Sequence, residues 1–146
     1  MSNYAEALAR QAHAGQVDKQ GRDYATYPRQ PVASLLAPFG AEAVSAGWLH
    51  DIVEDTDTTL EDLRSEGFSP WVVNAVDSVT RRAGESYLDM VRRAAADPYG
   101  RFVKLMDNWV NLNGLEDLAE VDPERAASLR KRYTAARIIL LGAMTR

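Results

Sequence analysis

The chain has 146 residues, 46% of them hydrophobic, enough for one domain whose core needs no staples. It has no cysteine, which excludes disulfides and thiolate metal sites. Its 17 basic and 21 acidic residues give a net charge of −4, which argues against a general nucleic-acid binder but leaves room for a small anionic substrate met by a local basic cluster.

The first residues, Met1-Ser2-Asn3-Tyr4-Ala5-Glu6, form neither a basic nor a long apolar leader, so no signal peptide is expected. The apolar run at 138–144 is too short to cross a bilayer. The expected location is the cytoplasm, with no membrane partner.

Apolar spacing predicts a helix over 4–14, with Ala5, Leu8, Ala9 and Ala12 on one stripe and Gly15 as its stop. Residues 16–27 read as a polar loop. Lys19 and Arg22 there offer donors to a phosphate, although a solvated connection explains the loop as well. Pro28 or Pro31 opens a second helix, which Pro38-Phe39-Gly40 breaks. A third is expected over 41–53. Thr58 and Glu61 suggest a capping box for a short helix ending at Gly67. Ser69-Pro70 starts another, and 85–96 forms the next. Asp97-Pro98 opens a helix to about residue 112, closed by Gly114. Asp122-Pro123-Glu124 opens a final long one to about residue 144. No stretch alternates as a strand would. One all-α bundle of about eight helices spanning 1–146 is the economical reading.

Chemistry concentrates at Trp48-Leu49-His50-Asp51-Ile52-Val53-Glu54-Asp55-Thr56. On a continuous helix His50 and Glu54 share one face, and Asp51 and Asp55 the neighbouring one, because residues four apart stack. So much charge at the end of an apolar helix is costly without compensation, and a divalent cation would supply it. A second stretch, Lys104-Leu105-Met106-Asp107-Asn108-Trp109-Val110-Asn111-Leu112, places Lys104, Asp107 and Asn111 on one face. The apolar side carries Phe102, Val103, Leu105, Met106, Trp109, Val110 and Leu112. A Lys104–Asp107 salt bridge on an exposed edge is the plain alternative. Taken together, one His and two Asp give mixed nitrogen and oxygen ligation. That suits a hard or borderline divalent ion such as manganese, magnesium, iron or zinc.

With these motifs the chain resembles the HD-domain phosphohydrolases, and among them the small alarmone hydrolases related to the RelA/SpoT hydrolase domain. The resemblance runs through Ala12-His13-Ala14-Gly15-Gln16, Lys19-Gln20-Gly21 with Tyr24, and the His50–Thr56 stretch. It continues through Thr80-Arg81, Glu85-Ser86-Tyr87, Val103-Lys104-Leu105-Met106-Asp107 and Asn111. It implies the all-α HD bundle and a manganese ion held by two His and two Asp. It also implies hydrolysis of the 3′-pyrophosphate of guanosine tetra- or pentaphosphate. On this resemblance His50, Asp51 and Asp107 are metal ligands, and Glu54 and Asp55 position or deprotonate water. Asn111 and Lys19 match nucleotide-contacting positions, Lys104 orients the carboxylates, and Arg81 is a phosphate candidate.

One position departs from the pattern. The family's first His ligand lies in a Tyr-x-x-His-Pro sequence, and here the stretch is Tyr24-Ala25-Thr26-Tyr27-Pro28. No other His lies between His13 and His50, and His13 reads as a packing or hydrogen-bonded residue. A phenol with a pKa of about 10 is a poor ligand for a divalent ion. Three readings stay open. The site binds metal through three ligands with Tyr27 or water in the gap. It takes a different metal. Or the chain is a pseudo-enzyme that binds nucleotide on the same fold. Another HD nucleotide phosphohydrolase, such as a nucleoside monophosphatase, is a further alternative.

Overall fold

Short polar side chains start most of the later helices. The computed structural model describes residues 1–16 and 30–145. Within them the chain forms α1 (Ser2–Ala12), α2 (Gln30–Leu35), a 3-10 turn (Ala37–Phe39), α3 (Ala41–Leu49) and α4 (Ile52–Asp55). There follow α5 (Leu60–Ser65), α6 (Pro70–Val79), α7 (Tyr87–Ala96), α8 (Gly100–Val121) and α9 (Pro123–Met144). Among the described residues there is no strand, and no helix is long and apolar enough to cross a membrane. Lys19, Tyr27 and most of the polar loop lie outside the described residues.

Ser69 caps α6, Ser86 caps α7 and Asp122 caps α9, each accepting from a backbone N–H three residues on. The capping box before α5 is shifted by one from the expected register. Thr59 accepts from the Asp62 N–H at 3.1 Å and Asp62 accepts from the Thr59 N–H at 2.9 Å. Thr58 instead donates its N–H to the Thr56 hydroxyl.

Two expected boundaries are corrected. Helix α8 does not stop near residue 112 but runs through Gly114 to Val121. A glycine inside a helix costs only about 1 kcal/mol. The burial of Leu115 one residue on anchors the next turn. The helix expected over 41–53 is broken at His50 and Asp51, with Asp51 at φ −121° and ψ 12°. The His50 ring takes the Gly47 carbonyl at 2.7 Å, the acceptor that a continuing helix would offer to the Asp51 N–H.

Helix α3 is the centre of the bundle, in contact with α1, α2, α6 and α8. Ala43, Ser45, Ala46, Gly47, Trp48 and Leu49 are all buried. Gly47 permits the close approach of α2, since a Cβ there would lie 2.6 Å from Leu36 Cδ1 and 3.3 Å from Ala33 Cα. The main core gathers Leu36, Leu49, Ile52, Leu63, Val73, Val76 and Val103 around it. A smaller cluster, Val91, Ala136 and Leu140, joins α7 to α9. Trp109, expected on the apolar side of α8, is 45% exposed, with the Arg137 guanidinium 5.4 Å from its ring centre.

Candidate active site

The break between α3 and α4 turns four polar side chains toward one cleft. A cavity of about 270 Å³ is lined by His50, Asp51, Glu54, Asp55, Lys104, Asp107 and Asn111, with Val79, Met90 and Val103 as its apolar wall. The two sequence motifs, more than fifty residues apart, meet here because α3 and α6 both pack on α8.

His50 is buried, and its Nδ1 donates to the Gly47 carbonyl. Nε2 is the nitrogen left facing the cleft. It lies 3.6 Å from Asp107 Oδ1 and 3.9 Å from Asp51 Oδ2. These separations are too wide for hydrogen bonds. They approach the roughly 3–3.5 Å expected between two ligands that each sit about 2.1 Å from one ion. One imidazole nitrogen and two carboxylates form a donor set that fits a hard or borderline divalent cation. Among the described residues no three His, Asp or Glu side chains stand close enough together to hold a metal ion. The fourth position, Tyr27, is outside them.

Asp107 pairs with Lys104 at 3.1 Å, and both are buried. Burial pushes the Asp107 carboxyl up, but Lys104, His50 and the Asn111 hydrogen bond outweigh it and hold the group below the usual carboxylate range. For Lys104 burial works against the charged form, and Asp107 more than compensates, so its pKa is raised. The pair exists as expected but inside the cleft, not on an exposed edge. Lys104 Nζ also lies 5.3 Å from the centre of the Tyr87 ring, with the Arg132 guanidinium 5.2 Å from the same ring.

Glu54 and Asp55 are exposed at the rim. Glu54 accepts a hydrogen bond from the Arg81 backbone N–H. Arg81 itself does not line the cleft, and its Nε donates to the Glu85 carbonyl at 3.1 Å. The Asp55 carbonyl accepts from Gln16 at 3.2 Å.

Sequence reasoning under-read His13. It is buried at the end of α1, with Nδ1 2.9 Å from Gln16 Oε1 and Nε2 3.6 Å from Asp51 Oδ1. It is thus a hydrogen-bonded core residue, as expected, and also a neighbour of the site. Tyr87 was missed as a site neighbour altogether. The signal for both lay in the motifs Ala12-His13-Ala14-Gly15-Gln16 and Glu85-Ser86-Tyr87.

Residues 5–137 match the family model described as HD domain. The chain belongs to the HD-domain family. It is 36% identical over 131 residues to a probable GTP pyrophosphokinase of Mycobacterium leprae, covering 82% of this chain and 16% of that protein. It is also 36% identical over 124 residues to a guanosine-3′,5′-bis(diphosphate) 3′-pyrophosphohydrolase of Haemophilus influenzae, covering 76% of this chain and 18% of that one. The chain thus spans less than a fifth of these curated relatives. Its fold matches a solved structure described as a metazoan ortholog of SpoT that hydrolyzes ppGpp. The TM-score is 0.73 and the identity 23%, over 97% of this chain and 84% of that one.

Proposed function

We propose that this HD domain is a metal-dependent pyrophosphohydrolase that removes the 3′-pyrophosphate from a guanosine 3′,5′-bis(diphosphate)-type alarmone, with manganese as its ion. The observation that carries the reading is the meeting of Asp51 and Asp107 at Nε2 of His50, inside a cleft rimmed by Glu54 and Asp55. The relatives bear names for both synthesis and hydrolysis of such nucleotides. The cleft favours hydrolysis, because it collects metal-type ligands and carboxylate bases.

His50, Asp51 and Asp107 would hold the ion. It would supply Lewis acidity, making a water more acidic and neutralising charge on phosphoryl oxygens. Lys104 keeps Asp107 ionised and oriented. Glu54 and Asp55 stand at the rim, where a carboxylate orients the attacking water and accepts its proton. Attack on the inner phosphorus of the 3′-diphosphate breaks its bond to the ribose oxygen and releases pyrophosphate. Asn111, hydrogen-bonded to Asp107, and Lys19 are the nucleotide-contact candidates in this reading, and Arg81 serves a phosphate only after leaving the Glu85 carbonyl.

The test is metal content and manganese-dependent release of pyrophosphate from guanosine tetraphosphate, run on the protein and on Tyr27→His. Metal and turnover in the unmodified protein support the reading. Both absent there and both gained by Tyr27→His would make the chain a nucleotide-binding pseudo-enzyme disabled at one ligand.

A further inference from the structure

The loop between α6 and α7, residues 80–86, is fastened by one arginine. Arg93, in the last turn of α7, forks onto Glu85 with Nε at 2.9 Å from Oε2 and Nη2 at 2.8 Å from Oε1. The same guanidinium donates to the Asp77 carbonyl at 2.8 Å and the Thr80 carbonyl at 2.7 Å, at the C-terminal end of α6. The Asp77 carbonyl also accepts from the Thr80 N–H at 3.1 Å, and a planar fork of five donors can serve both carbonyls together with a carboxylate. Glu85 closes the other side. Its Oε1 accepts from the Arg82 N–H at 3.1 Å, and its carbonyl accepts from Arg81 Nε at 3.1 Å.

One amide of this loop points out of it. The Arg81 N–H donates to Glu54, twenty-seven residues earlier in the chain. It is the one hydrogen bond that the Glu54 carboxylate makes among the described residues. Helix α4, which carries Glu54, is a single turn of four residues and cannot fix a carboxylate by itself. The orientation of Glu54 thus depends on where α7 holds the loop.

We propose that Arg93 and Glu85 are positioning residues for Glu54, acting through the Arg81 backbone N–H. The inference rests on the hydrolase reading for its catalytic meaning, but its geometry stands apart from that reading. Arg93 also holds the Glu85 carboxyl down to about 2, so the clasp is ionic throughout the neutral range.

The test uses the full chain and four variants: Arg93→Gln, Glu85→Gln, Glu54→Gln and, as a surface control, Arg92→Gln. The first readout is the Arg81 amide proton in a two-dimensional NMR spectrum. A bond to a carboxylate moves it downfield. Glu54→Gln should move it upfield, and Arg93→Gln should move it the same way although Glu54 is intact. The second readout is steady-state hydrolysis with manganese. Arg93→Gln should lower kcat about 10- to 100-fold with KM nearly unchanged, the scale expected when a catalytic group is misplaced by about 1 Å. Arg92→Gln should change neither readout.

A folded Arg93→Gln whose Arg81 amide stays in place overturns the proposal, whatever the kinetics. If Arg93→Gln does not fold, Glu85→Gln, which keeps the side-chain shape, gives the same two readouts. If the unmodified protein turns nothing over, the hydrolase reading fails, and the amide shift still decides the positioning.

Discussion

The imidazole of His50 is held by a glycine three residues behind it. Nδ1 donates to the Gly47 carbonyl at 2.7 Å, so Nε2 is left to face Asp51 and Asp107. Gly47 has a second task in the same place, since its bare Cα lets α2 lie against α3. Gly47→Ala would drive a methyl to 2.6 Å from Leu36 Cδ1 and 3.3 Å from the Ala33 backbone. Leu36 is fully buried and has little room to yield. The variant should lose about 1–3 kcal/mol of stability. It should also bind manganese more weakly, because the carbonyl that fixes the ring moves with its helix. Denaturant melts and calorimetric metal titration check both. A variant that melts like its parent and binds metal as tightly would remove the packing argument and the ring-orientation argument together.

Metal binding should appear as stability. An ion that binds only the folded chain adds about 2.7 kcal/mol at a hundredfold excess over its dissociation constant. Manganese should therefore raise the melting temperature of the unmodified protein, and a chelator should reverse the rise. His50→Ala removes the nitrogen common to both close approaches and should abolish the effect. An equal rise in His50→Ala would place the ion elsewhere.

The termini of the helices were legible because capping is local chemistry. Ser69-Pro70 and Asp122-Pro123 start α6 and α9 where the sequence indicates. Gly114 misled because a helix tolerates one glycine when buried residues follow it. The break at His50 and Asp51 was hidden in a side chain that bonds back to its own helix. In the site, His50, Asp51, Glu54 and Asp55 were readable as one run, and Lys104, Asp107 and Asn111 as one helix face. Their meeting needed only that the two segments touch. The approach of His13 to Asp51 depends on how α1 packs against α3, which no spacing encodes. The Arg93 clasp joins residues 8, 13 and 16 positions apart across a helix end, and no periodicity announces it.

Lys104→Met should be costly in proportion to the charge it strands. It leaves the buried Asp107 carboxylate without its principal cation. Removing one partner of a buried pair typically costs about 3–5 kcal/mol, and the lower end is expected here because His50 and Asn111 still face the carboxylate. Asp107 is held below its ordinary value, so its contribution is present at neutral pH and fades as pH falls through that depressed range. The deficit of Lys104→Met should therefore be largest near pH 7 and shrink in acid, as Asp107 protonates in the variant. Urea unfolding at neutral and acid pH, in the presence of chelator, measures it. A deficit that does not change with pH would mean that the lost methylene packing, and not the charge, dominates.

The Glu85–Arg93 clasp predicts a different pH window. The Arg93 hydrogen bonds hold the Glu85 carboxyl at about 2, against an ordinary value of 4.5. A depressed carboxylate stabilises the fold above its unfolded value and loses that contribution as pH falls through its folded one. The stability difference between the protein and Arg93→Gln should thus be flat from neutral pH to about 4.5, then narrow steadily toward pH 2. Arg93→Lys keeps the charge but not the fork, and should recover only part of the difference, since an ammonium cannot serve a carboxylate and two carbonyls in one plane. Urea midpoints of the three proteins across that range decide the matter. A difference that persists unchanged to pH 2 would assign the clasp to the Asp77 and Thr80 carbonyls alone, because those bonds carry no titrating partner.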